Sequence, residues 1–194
     1  MVYETVDRQV DLLTRIKKTT KSRYHASSRL SFHHKLSQWI IAFISCGLIY
    51  ISIAQIVGVD SQISAKELNL MQVTLAILIL VYSLLLGQGN FISRSKDMYQ
   101  NGVELGRLAR KVEGHDGKMC NEKYESFIEE YYAVIDKYEN HSDVDYQRTM
   151  LRYCKKYSFE YFKIFVFFVF LYVLNFSVYI YPLVIMFFCF NYIY

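Results

Sequence analysis

The sequence predicts an all-α membrane protein with two transmembrane helices, a cytoplasmic antiparallel helical hairpin and a third, C-terminal transmembrane helix. Three observations predict it. Windows 36–59, 68–93 and 164–194 contain no Asp, Glu, Lys or Arg, although 21% of the chain is charged. Each window is long enough for a hydrocarbon core about 30 Å thick, which takes roughly 20 residues at about 1.5 Å each. The polar stretches between them repeat apolar residues at three- and four-residue steps, the period of a helix with one buried face.

Four segments follow. Residues 1–35 form a cytoplasmic amphipathic N-terminal helix, in which Val6, Val10, Leu13 and Ile16 share a face and basic residues lie opposite. Its apolar stripe is thin, so packing on other helices is favoured over lying along lipid headgroups. Residues 36–93 form a transmembrane helical pair with a short external loop at 60–67. The first window is not a removable signal peptide: polar chain precedes it, no small-residue cleavage pattern follows, and a second span comes at once.

The first span, 37–59, begins with Trp39, suited to the membrane interface. Gln38, Ser45 and Ser52 are spaced by seven and Gln55 follows three residues later, making a weakly polar stripe on an apolar helix. The second span, 68–86, repeats the pattern with Gln72, Ala76 and Ser83. Small and hydroxyl residues let helix backbones approach closely, and the same stripes could line a water-filled path between several copies. Both readings stay open. No ionisable side chain lies inside any span, which leaves a proton relay or a voltage sensor without support.

Residues 94–163 form the hairpin and a linker helix. The second span should run on through Met98, Gly102, Leu105, Ala109 and Val112. Residues 113–118, "EGHDGK", carry an Asp-Gly turn signal. The return arm is traced by Tyr124, Phe127, Ile128, Tyr131, Ile135 and Tyr138. The acidic stretch 138–146, "YENHSDVDY", ends that stripe. Ser142 followed three residues later by Asp145 is capping-box-like, with Asp in place of Glu or Gln, and Asp143 and Asp145 would complement the dipole of a new helix. A zinc site would give His141 only carboxylates for company, since His25, His33, His34 and His115 fall on other elements. Residues His141, Ser142 and Asp145 are therefore read as a structural elbow, leading into a helix over 143–163.

The window 164–194 is too short for two spans and long for one. Tyr172, Asn175 and Tyr179 share a face, and Pro182 is a candidate kink. One tilted span with an aromatic tail is expected, a re-entrant ending being the alternative. Cys46, Cys120, Cys154 and Cys189 are scattered without CxxC spacing, so neither a disulfide framework nor a zinc site is indicated. The net charge of +4 is modest and implies no direct nucleic-acid binding. Basic residues crowd the chain before the first span, after the second and before the third, while Lys66 is the lone cation of the 60–67 loop. The positive-inside rule then places the N-terminus and residues 94–163 in the cytoplasm.

The run "RIKKTTKSRYHASSRLSFHHKLSQW" resembles the start of a SLATT domain, a two-span effector family, through Arg23-Tyr24, Ala26, Arg29-Leu30 and Ser37. The likeness continues in "YSLLLGQGNFISRSKDMYQNGVELGRL" and in "YENHSDVDY", covering about residues 10–155. It looks most like the subgroup found beside reverse transcriptases; other members accompany nucleotide-signalling enzymes. The resemblance implies a bacterial inner-membrane effector of an anti-phage, abortive-infection system, which opens or disrupts the membrane once activated. It brings no catalytic residues, and no cofactor is expected. Separately, so few spans would need homo-oligomers to make a pore. With no fused sensor, activation would come from a partner protein of the same system or a ligand at the basic cytoplasmic face. The third span departs from the two-span pattern.

Without the resemblance, the residues describe a small multi-span protein with a helical module, contacting the lipid bilayer and lacking a phosphate-binding glycine loop. The expected function is a pore-forming or membrane-disrupting effector activated through a partner and oligomerisation. The alternative is a membrane-anchored adaptor whose helical hairpin docks a partner. A membrane-embedded hydrolase would need an acid, base or nucleophile in a pocket, and none is evident.

Overall fold

The computed structural model describes residues 2–58, 64–115, 119–156 and 158–193. Those residues form six helices: α1 (Val2–Val57), α2 (Ala65–Gln88), α3 (Phe91–Glu113), α4 (Asn121–Asp136), α5 (Asp143–Tyr153) and α6 (Phe159–Ile193). Three stretches are long and apolar enough to cross a membrane, within α1, α2 and α6. The chain divides into two compact units, Met1–Ser31 with Ile92–Tyr172, and Phe32–Phe91 with Val173–Tyr194.

The N-terminal segment and the first span are one helix of 56 residues. Residues 2–46 include neither Gly nor Pro, so no residue interrupts the backbone hydrogen bonding there. Gly58 ends the helix with φ +77°, the left-handed conformation that a Cβ disfavours. The expected continuation of the second span is interrupted: Asn90, with φ +43°, separates α2 from α3. The 143–163 helix is likewise two pieces. Cys154 adopts an extended backbone after α5, and Ser158 starts α6, its Oγ accepting the Tyr161 N–H at 3.1 Å. Pro182 lies inside a helix that continues to Ile193.

In the first unit, the polar half of α1 packs on an antiparallel α3–α4 pair. Asn101 donates to the Val134 carbonyl at 2.8 Å, and Lys111 meets Glu130 at 2.6 Å. The core joins Leu12 and Ile16 of α1, Leu105, Leu108, Ala109 and Val112 of α3, and Phe127, Tyr131 and Val134 of α4. The face of α1 agrees with the expected one in part: Ile16 is buried and Leu13 packs against this core. Leu12 and Ile16 are buried but Val10 is 56% exposed, and the Val6 side chain and the Asp116-Gly117 step lie outside the described residues.

Close approach of α1 and α3 depends on Gly102, where a Cβ would stand 2.8 Å from the Tyr24 ring. Gly102→Val is expected to lose about 1–3 kcal/mol through overpacking, read as a lower thermal midpoint of the detergent-solubilised chain. An unchanged midpoint would show that the Tyr24 ring swings away freely.

The second unit is built from the apolar half of α1, α2 and the later part of α6. Ile51, Leu68 and Leu75 form one cluster, with Leu48 and Met71 against it. Ile40, Ile44 and Tyr179 form another, flanked by Ile79, Tyr82 and Phe176. The outward positions are apolar too: Ile56, Leu70, Leu80, Leu84 and Phe188 are each at least 60% exposed. Surface of this kind suits hydrocarbon and is rare on water-soluble monomers. The 30 residues of α6 from 164 to 193 span about 45 Å, more than the roughly 30 Å of a hydrocarbon core.

Candidate functional site

The polar residues of the spans differ in their partners. Gln55 and Gln72 meet directly, the Gln72 Nε2 donating to Gln55 Oε1 at 3.1 Å, and Gln55 donates in turn to Asn69 Oδ1 at 3.0 Å. This amide cluster joins α1 to α2. Ser52 donates to the Leu48 carbonyl of its own helix at 3.0 Å. Ser45 and Ser83 are half-buried, and Gln38 is exposed. Asn69 lies seven residues before Ala76 and fourteen before Ser83, so the heptad spacing of the second span was a signal that could have found it.

A second polar site crosses α1 and α6. His33 stacks on Phe176 at 4.4 Å between ring centres and shares a 2.8 Å hydrogen bond between Nδ1 and the Tyr179 hydroxyl. Ser37 donates to the His33 carbonyl at 2.6 Å. The 146 residues between His33 and Tyr179 put this pairing beyond any local pattern.

In the first unit, the stretch between α4 and α5 is clamped by arginines of α1. Ser142 is the N-cap of α5, and Asp145 accepts from its N–H at 3.3 Å and its Oγ at 3.0 Å. Arg29 grips the same carboxylate with two bonds, Nε at 3.0 Å and Nη2 at 2.9 Å, and also reaches Ser142 Oγ. Asp145 is 1% exposed. Six residues earlier on α1, nearly two turns, the fully buried Arg23 donates to the Glu139 carbonyl and to Asn140 Oδ1, just past the end of α4. Ser22 donates to Thr149 at 2.9 Å. The elbow is thus an interhelical joint, and local spacing could not name its α1 partners.

Burial and then the Arg23 charge hold the His141 imidazole below its ordinary pKa, against the opposing pull of Asp145 and Asp143. Among the described residues no group of three His, Cys, Asp or Glu side chains could hold a metal ion. Cys46, Cys120 and Cys154 are free, and the Cys189 side chain lies outside the described residues.

The sequence matches the family described as SMODS and SLOG-associating 2TM effector domain family 5 over residues 7–193. The chain belongs to this SLATT family. No curated protein and no solved structure matches it. The match reaches past the two-span portion and includes α6. The SLATT-like residues of the first run occupy specific places in this chain: Arg23 and Arg29 at the joint, Tyr24 over Gly102, Ala26 and Leu30 buried, and Ser37 on the His33 carbonyl.

His25 of this SLATT chain offers a pH test. Desolvation, then the charges of Arg148 and Arg152, push its pKa down to about 4, with Asp145 opposing and Lys21 assisting. An unfolded imidazole titrates near pH 6.5. The folded state therefore binds fewer protons between those values, and the contribution is present above pH 6.5 and lost as pH falls towards 4. His25→Gln should flatten the fall in thermal midpoint between pH 6.5 and 4. An identical fall in both proteins would remove His25 from the account.

Proposed function

We propose that the chain is a membrane effector of a bacterial anti-phage, abortive-infection system, which opens a path through the inner membrane when copies assemble. The amide cluster of Gln55, Gln72 and Asn69 carries this reading. Polar side chains on lipid-crossing helices are costly unless paired or facing water, and rearranging such a pair between copies would expose donors and acceptors to a pore. The stripe Gln38, Ser45, Ser52, Gln55, Gln72 and Ser83 supplies the lining. A chain with so few spans needs several copies to enclose a path. Membership of an effector family supports the role.

In this reading the N-terminus and the unit holding α3, α4 and α5 face the cytoplasm, as the basic residues flanking the spans require. Activation comes through a partner from the same system, a reverse transcriptase or a nucleotide-signalling enzyme, acting on that unit. The joint of His141, Ser142 and Asp145 is structural and holds α5 on α1. An adaptor role, with the spans as passive anchors, is favoured only by the compact core of the first unit.

The test is membrane potential and dye uptake in bacteria expressing the full chain with its partner. Depolarisation is expected, and Ser45→Leu, Ser52→Leu and Gln55→Leu together should abolish it without loss of membrane insertion. Depolarisation that survives all three places the path elsewhere. No depolarisation with an active partner, together with function retained after the spans are exchanged for unrelated apolar helices, establishes the adaptor.

A further inference from the structure

Phe176 of α6 stacks on His33 of α1, and Pro182 and Ile185 line one groove with Ile41 and Ile44, so the two helices run in the same direction here. Tyr179 bonds His33, which precedes Lys35 and the first charge-free window. That contact fixes the depth of α6. Residues before it lead away from the bilayer: Phe170 and Phe159 stand about 14 and about 30 Å further out on the water side, at about 1.5 Å per residue. The beginning of α6 is therefore an apolar helix in water. Its two faces differ. Tyr161, Ile164, Phe168 and Leu171 follow one another at three- and four-residue steps and are half-buried. Phe159, Phe162, Val166 and Val169 keep steps of three, four and three on the opposite side and are 40–72% exposed. Such steps are those of a coiled-coil seam, the a and d positions of a heptad. With the flanking Phe165 and Phe170, these side chains leave roughly 600 Å² in water, taking about 200 Å² for a whole aromatic side chain. Each partner of a stable complex buries roughly 800 Å², and a chance lattice contact less than about 400 Å².

We propose that this seam pairs, in parallel, with the same seam of a second copy on the water side of the membrane. Two copies inserted with one topology present α6 in the same direction and at the same depth, so an identical helix arrives already in register. The seam carries no charge and gives a charged partner nothing to pair with. Its distance from the bilayer surface keeps lipid from covering it. The seam is exposed in the conformation described, so pairing requires no trigger. The proposal rests on the reading that copies assemble, and names the surface they use.

Cysteine cross-linking of the full chain in bacterial membranes tests it, in a background with Cys46, Cys120, Cys154 and Cys189 changed to serine. Phe162→Cys and Val166→Cys should form a dimer roughly tenfold faster than Phe167→Cys, because seam positions face their counterparts and a flank does not. Phe167 is a fair control, being 45% exposed beside 50% for Val166. Adding Phe159→Gln/Val169→Gln should remove the advantage of Val166→Cys. In permeabilised membranes, Phe167→Cys should react with a water-soluble maleimide. Equal rates at the three positions, or no dimer at any of them, overturn the seam. Failure of the maleimide to reach Phe167→Cys also overturns it, by placing the segment in lipid. Seam-specific dimers without depolarisation support the pairing and discard the pore. Depolarisation by the Gln variant after its dimer is lost keeps the pore and removes the seam from the assembly.

Discussion

Arg29→Ala is expected to open the first unit at α5, with a loss of about 3–5 kcal/mol, the usual result of leaving one partner of a buried ion pair alone. The carboxylate stranded by the change belongs to Asp145, whose side chain is 2% exposed and which has no other charged partner among the recorded ion pairs of the described residues. Ser142 would still donate to it, but two neutral hydrogen bonds do not replace a bidentate guanidinium. Hydrogen exchange of the α5 amides in the solubilised chain measures the loss directly. Arg29→Lys should fail to restore protection fully, because a point ammonium cannot grip both oxygens. Replacing both partners, as Arg29→Met/Asp145→Leu, should recover part of the loss, since an apolar pair removes the stranded charge. Protection in Arg29→Ala equal to wild type would show that water reaches Asp145, and the joint would then be a surface contact.

Phe127→Ala should destabilise the same unit by about 3–5 kcal/mol, through lost apolar burial and the cavity left behind. Phe127 sits in the cluster that joins Leu12 and Ile16 to Leu105, Leu108 and Val112, so its loss loosens α1, α3 and α4 together. Tyr132, its close neighbour along α4, is 50% exposed, and Tyr132→Ala should stay within about 0.5 kcal/mol of wild type. Thermal unfolding of the two variants beside wild type separates the positions. Similar losses in both would mean that the α4 face is rotated from the one described.

Much of this architecture was legible because hydrocarbon imposes a coarse rule. A long window without charge leaves little besides a spanning helix, so the apolar parts of α1, α2 and α6 followed from composition. The faces of α3 and α4 were legible as well, since Met98, Gly102, Leu105, Ala109, Val112, Phe127 and Tyr131 repeat at helical spacing and are buried. The face of α1 was harder. Its buried positions continue past Leu12 and Ile16 to Ser22, Arg23, Ala26 and Leu30, and a search for apolar periodicity does not register a serine and an arginine as core.

The amino-acid order by itself determined which segments are helical, which of them suit lipid, and where the acidic elbow interrupts the chain. Those properties depend on residues within a turn or two of one another. Only the tertiary structure decided the partners: Arg29 for Asp145 across 116 residues, Gln72 for Gln55 across 17, and Tyr179 for His33 across 146. The chain also breaks at Asn90 and Cys154, which apolar periodicity does not register, although Gly87, Gly89 and Asn90 are weak helix formers. The physical reason is that a buried charge or amide is satisfied by whatever packing brings within hydrogen-bond reach, and sequence spacing records no such distance.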